Sequence, residues 1–131
     1  MTATVLYLFE ASSSYLEKKD VKSRKKKKHG EDHILLCKSC KHPVTSESNR
    51  IVINQSHVHT CKNPAGLVFT FGCFSEAPGC IASGSTSFEF TWFTGYSWQI
   101  VICANCGIHL GWSFRNEDLF FALITERLIS Q

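Results

Sequence analysis

From His33 onward, apolar and polar residues alternate in short runs separated by turn-forming residues. No stretch keeps a convincing helical period. The runs that predict strands are Ile34–Cys37, Arg50–Ile53, Leu67–Phe74, Phe88–Phe93, Trp98–Cys103, His109–Phe114 and Leu119–Ile129. The last contains Leu, Ala and Glu, which are good helix formers, yet it is read here as a strand. Turn chemistry falls between the runs at Lys41–Pro43, Asn63–Gly66, Ala77–Gly79, Ser83–Ser85 and Thr94–Tyr96. The pattern predicts one mainly β domain over residues 33–131.

Residues 1–32 have a different character. They hold eight of the 14 Lys/Arg and five of the 11 Asp/Glu, whereas residues 33–131 hold six of each and are neutral. The apolar stretch Val5–Phe9 has no basic residue before it and Glu10 directly after it, which does not make a signal peptide. The basic block Lys22–Lys28 reads either as a nuclear address or as a solvated, self-repelling linker, and the linker is preferred. Residues 1–32 are therefore expected to form a disordered segment. The default compartment is cytoplasmic or nuclear, and secretion would follow only if the N-terminus were misassigned.

With 44% hydrophobic residues the chain can bury a core. The neutral domain is a poor electrostatic partner for nucleic acid, which calls for a clustered basic footprint. No apolar run approaches the roughly 20 residues that span a bilayer.

All seven cysteines lie in the neutral part. Cys37–Cys40 and Cys103–Cys106 are two CxxC pairs with 62 residues between them. Two intervening residues let both sulfurs of a pair face one ion, and Zn²⁺ takes four such ligands tetrahedrally at about 2.3 Å. Gly107 permits the tight turn after the second pair. The alternatives are disulfides or a redox CxxC, but the latter normally opens a helix in a βαβ setting. The preferred reading is one structural Zn²⁺ stapling distant parts of the domain. Cys61, Cys73 and Cys80 read as buried thiols, with a Cys73–Cys80 disulfide conceivable only on export. His57 and His59 share one strand face and offer a metal pair, although surface polarity is the preferred account.

Trp92, Trp98 and Trp112 are the only tryptophans, and they fall in a 21-residue window around the second CxxC pair. Phe114 lies two positions beyond Trp112, on the same side of a strand. Such a concentration is either ordinary core or an aromatic box for a flat or cationic ligand.

The strings Thr91–Trp98 (TWFTGYSW) and Cys103–Phe114 (CANCGIHLGWSF) resemble the CULT domain, the thalidomide-binding domain found in cereblon and in stand-alone proteins. The first CxxC pair and the turn Asn63–Gly66 also stand where that pattern expects them, so the resemblance covers residues 33–131. It implies a β-tent fold, two antiparallel sheets pinned by one structural zinc. It also implies a three-tryptophan cage for cyclic imides of the glutarimide type, or for uracil-like rings.

Carried over by residue, Cys37, Cys40, Cys103 and Cys106 hold the zinc, and Trp92, Trp98 and Trp112 form the cage walls above Phe114. Asn63 and Pro64 stand at the mouth. The backbone of the Phe90–Thr91–Trp92 segment faces the imide. A family histidine is replaced here by Phe90, which removes one side-chain hydrogen bond to the ligand, and a loop histidine is replaced by Ala65. The implied partner is a small cyclic imide or a modified protein terminus. Cereblon's Lon-like domain has no counterpart in this sequence, so no ligase-adaptor contact is expected.

The expectation is a non-catalytic binding module. A zinc-stabilised protein-interaction module is the alternative. A relative of methionine-R-sulfoxide reductase is less favoured, because that chemistry needs a late catalytic thiolate and no cysteine follows Trp112.

Overall fold

In the computed structural model, which describes residues 32–131, the β-rich runs become nine strands in two antiparallel sheets. They are β1 (Ile34–Cys37), β2 (Pro43–Ser46), β3 (Val58–Lys62), β4 (Val68–Phe74), β5 (Cys80–Ser87), β6 (Ser97–Cys103), β7 (His109–Arg115), β8 (Leu119–Ile124) and β9 (Leu128–Ser130). The smaller sheet runs β2-β1-β9 and the larger runs β3-β4-β8-β7-β6-β5. The expected mainly β fold of two antiparallel sheets is therefore present. The segment expected over 1–32 lies outside the described residues except for Asp32. Its carboxylate accepts hydrogen bonds from the Ser48 backbone N–H at 3.2 Å and hydroxyl at 3.0 Å.

Strict alternation along the central strands gives the large sheet two apolar faces. Phe120, Ala122 and Ile124 of β8 join a cluster that contains Trp92, Trp112, Phe114, Phe71 and Cys73. Leu123 points the other way, into a cluster with Leu35, Cys37, Val44 and Cys103 beneath the small sheet. A bulge between β6 and β7 makes Leu110 the extra residue, so it joins the second cluster while Trp112 and Phe114 stay in the first. Gly111 is required here. A Cβ at this position would lie 2.0 Å from the backbone oxygen of Ala122, so only glycine lets β7 and β8 approach at this point.

Four details differ from the sequence expectation. Arg50–Ile53 is not a strand; it makes isolated bridges at Arg50 and Ile53, while the Ile51 and Ile53 side chains plug the first cluster. Positive φ at Asn54 and Gln55 then turns the chain back before a strand partner can be reached. Phe88–Phe93 is an irregular loop, broken by Phe90 at φ 58°, and its apolar pattern comes from Trp92 and Phe93 turning inward. The expected turn at Ser83–Ser85 is a bulge within β5, with Gly84 at φ 84° where the pairing to β6 shifts. Finally, Leu119–Ile129 is broken by a 3-10 turn at Thr125–Arg127, which passes the chain from the large sheet to the small one. The strands β2, β3 and β5 were not foreseen.

Candidate functional site

Each CxxC pair is built the same way. After Cys37 the chain turns so that Lys41 N–H donates to the Cys37 carbonyl at 2.7 Å and Cys37 N–H donates to His42 O at 2.8 Å. After Cys103 the matching bonds are Gly107 to Cys103 O and Cys103 to Ile108 O, both 2.9 Å. Both turns close through a left-handed residue, Lys41 at φ 67° and Gly107 at φ 79°. In the second knuckle the backbone N–H groups of Asn105 and Cys106 point at the Cys103 sulfur, at 3.4 and 3.5 Å. Donors of this kind stabilise a thiolate.

The two knuckles meet. Cys37 and Cys106 sulfurs lie 3.8 Å apart, Cys40 and Cys103 sulfurs 3.6 Å apart, and all four fall within 4.8 Å of one another. A tetrahedron with metal–sulfur bonds of about 2.3 Å has sulfur–sulfur edges of about 3.8 Å. The four residues therefore fit one metal ion with an all-sulfur shell. Burial pushes the Cys37 thiol up to about 11. The Asn105 side chain, as a hydrogen-bond partner, holds Cys40 down at about 6. The site joins the two sheets, since Cys37 ends β1 and Cys103 ends β6.

The other thiols occupy three different places. Cys73 is buried in the aromatic cluster, with Cys61 packed against that cluster, whereas Cys80 packs against the cluster of the metal side. Cys73 and Cys80 thus pack on opposite faces of the large sheet, not against each other. Burial raises Cys61 and Cys80 to about 12 and raises Cys73 as well.

The aromatic residues assemble on the face away from the small sheet. Strand register sets Trp98 opposite Phe114, and Ile100 opposite Trp112, so all four share this face. Trp92 and Trp112 meet edge to face at 4.9 Å between ring centroids. Phe71 stacks on Trp92 at 5.4 Å, and Phe69 meets Trp112 at 5.1 Å. Phe114 contacts Phe93 and Phe120 at 4.9 and 5.4 Å. Trp92 and Trp112 are only 2% and 1% exposed, while Trp98 is half-buried at the margin.

The three indole N–H groups are treated differently. Trp92 donates to Lys62 O at 3.1 Å and Trp98 donates to Glu89 O at 2.8 Å. Among the described residues, the Trp112 N–H is the buried side-chain polar group that has no acceptor. Buried donors are rarely left so.

Asn63 shapes the hairpin between β3 and β4, its side-chain oxygen accepting from Ala65 and Leu67 N–H at 3.0 and 2.9 Å. Pro64 is exposed at the tip. Because Trp92 is bonded to Lys62, the residue before Asn63, this hairpin lies at the edge of the aromatic cluster. The Thr91 hydroxyl donates to Phe93 O at 3.3 Å, bracing the loop. Phe90 is 56% exposed and Phe88 66% exposed. Sequence reasoning did not single out Phe69, Phe71, Phe93, Phe120 or His109 as parts of this cluster. The His109 ring stands against Trp112 at 4.9 Å. Its position three residues after Cys106, the last of the CxxC cysteines, was the available signal.

His57 and His59 are neither a metal pair nor surface polarity. His57 Nδ1 bonds to Ile51 O, and His59 Nε2 bonds to Ile53 O and Ser56 O, all at 3.0 Å. Both half-buried rings, His57 just before β3 and His59 within it, latch the 51–56 loop to the start of that strand, and burial lowers their proton affinity. Their folded values lie below the unfolded value of about 6.5, so the unfolded chain takes up protons first as pH falls. Stability should be complete above pH 6.5 and decline below it. Thermal midpoints from pH 8 to 5 should show this, with metal content followed in the same samples to separate loss of the ion. The variant His59→Gln should flatten the profile, and an unchanged slope would remove His59 from this role.

No family model matches the chain. It is 32% identical over 94 residues to protein cereblon of Drosophila grimshawi, an alignment that covers 67% of this chain and 14% of that protein. Against protein cereblon of Drosophila simulans the identity is 30% over 105 residues, with 71% and 17% covered. Against the Drosophila melanogaster protein it is 31% over 91 residues, with 65% and 15% covered. The alignments thus span 14 to 17% of the length of these relatives.

Proposed function

We propose, from the premise that this chain is a homologue of the cereblons and fits a cereblon-type CULT domain, that it is a small-ligand binding module. The ligand is a flat cyclic imide or a uracil-like ring, received beside Trp92, Trp98 and Trp112. The four-cysteine site takes Zn²⁺ and serves structure only. The observation that carries the reading is the shared face on which Trp98, Trp112 and Phe114 stand in register, with Trp92 folded against it. Indole faces desolvate a ring, and polar groups at its edge select an imide over a hydrocarbon. Phe90 and Thr91, at the open margin, contribute backbone groups. Asn63 and Pro64 form the rim.

A non-catalytic role agrees with the thiol chemistry. Cys61, Cys73 and Cys80 are all pushed away from the thiolate form by burial, so none of them rests as the thiolate that a catalytic cysteine uses on its substrate. The exposed pair Phe88 and Phe90 favours a second reading, a surface that docks a polypeptide.

Titrating the protein with a glutarimide and with uridine, read by tryptophan fluorescence, tests the proposal. Ligands of under about ten heavy atoms bind at micromolar affinity or weaker, at about −0.3 to −1.5 kcal/mol per atom before ordering costs. Trp98→Ala should abolish the signal change while leaving the thermal midpoint within a few degrees, because Trp98 sits at the margin. Unchanged affinity in that variant would move the site elsewhere and favour the docking surface.

A further inference from the structure

Cys80 is the one thiol that packs beside the four-cysteine site without belonging to it. In the pairing of β5 with β6 it stands directly opposite Cys103, a member of that site. Neither residue gives its N–H to the other. Cys80 donates to Ala77 O at 3.0 Å, Cys103 donates to Ile108 O at 2.9 Å, and the flanking bond runs from Ala104 to Gly79 O at 2.9 Å. The two form a non-hydrogen-bonded pair, in which Cα atoms approach to about 4.5 Å and side chains are closest. That spacing lies within the window for a disulfide, about 4.4–6.8 Å between Cα atoms. Both side chains also sit on the same face, in the cluster under the small sheet.

We propose that Cys80 and Cys103 form an oxidisable pair, through which a peroxide removes one ligand from the metal site. The Cys103 thiolate attacks one oxygen of hydrogen peroxide. The O–O bond breaks, and with one proton from solvent this leaves a Cys103 sulfenic acid and one water after the departing oxygen is protonated. The Cys80 sulfur then displaces the sulfenic hydroxyl, which leaves as a second water with the Cys80 proton. Two sulfurs lose one electron each, and peroxide gains both. The ligand set falls from four to three, and the tie between the sheets loosens. The new bond joins two strands that are already paired, so the large sheet keeps its register. A disulfide within either CxxC pair would remove two ligands at once and add no link between strands.

The inference rests on the metal reading for its consequence, but not for the disulfide itself. The test uses the full chain, with metal content measured first. Graded hydrogen peroxide is then added, released metal is followed with a chromogenic indicator, and disulfides are mapped by peptide mass spectrometry. One Cys80–Cys103 linkage per metal released is expected, reversed by dithiothreitol and added zinc. In Cys80→Ala the linkage is absent, and metal release at low peroxide should slow several-fold. Cys73→Ala, on the opposite face of the sheet, should behave as the parent. Linkages confined to Cys37–Cys40 or Cys103–Cys106 in the parent chain would overturn the pairing. A Cys80–Cys103 linkage in protein that held no metal at the start would retain the pairing and reject the metal reading. Equal release rates in parent and Cys80→Ala would reject the coupling.

Discussion

Stripping the metal should unfold the domain. Apparent binding energies for structural zinc in small peptides are about 10–16 kcal/mol at neutral pH, whereas whole domains are stable by about 5–15 kcal/mol. Here the ion would hold four sulfurs within 4.8 Å, two from the turn after β1 in the small sheet and two from the turn after β6 in the large one. Without it, the bonds that tie the two knuckles together are lost, and Cys37 and Cys103 are both buried. A strong chelator should therefore abolish the near-ultraviolet circular dichroism of the packed aromatics, and zinc should restore it. Elemental analysis should give one ion per chain. A chelated, metal-free protein with an unchanged near-ultraviolet spectrum would show that the clamp is dispensable.

Trp112→Ala should be the most damaging of the tryptophan truncations. Trp112 is almost wholly buried and touches Phe69, Phe71, Trp92 and His109 through its ring. Removing a buried Trp costs about 3–5 kcal/mol, from lost transfer energy plus the cavity left behind. For a domain of this size that corresponds to a drop in thermal midpoint of roughly 12 °C or more. Loss of ligand binding in this variant would thus mix stability with recognition, and Trp98→Ala separates them. Chemical denaturation of both variants checks the ranking. A Trp112→Ala protein as stable as Trp98→Ala would mean that the edge-to-face cluster contributes little.

What the sequence made legible follows the physics that each signal reports. The CxxC spacing is a local covalent constraint, so Cys37, Cys40, Cys103 and Cys106 were readable together despite the 62 residues between pairs. The alternation in β7 and β8 was equally plain, because both faces of those strands meet core. By contrast, β5 carries Ser83, Gly84, Ser85 and Ser87 at the edge of the large sheet, where little is buried, so its composition imitated a turn. Phe88–Phe93 imitated a strand because Trp92 and Phe93 pack inward from an irregular loop. Periodicity reports which side chains are buried, not whether the backbone has a strand beside it. The roles of His57 and His59 were hidden for a related reason. Their partners are backbone carbonyls of a neighbouring loop, which no residue pattern encodes.

The placement of the two knuckles also sets an order of events. Each turn is local and can close in the unfolded chain, within the reach of a few residues. Bringing the two together means closing a loop of 62 residues, whose entropy must be lost before any bond to the second pair compensates it. Between them lie β2 to β5 and most of β6, including both edge strands of the large sheet and the long aromatic loop. A nascent chain would hold an ion on the first knuckle with only half a shell until the second emerges. Completion of the tetrahedron is then a late, topology-limited step, and the rate at which the ion becomes resistant to a competing chelator would clock the folding of the domain.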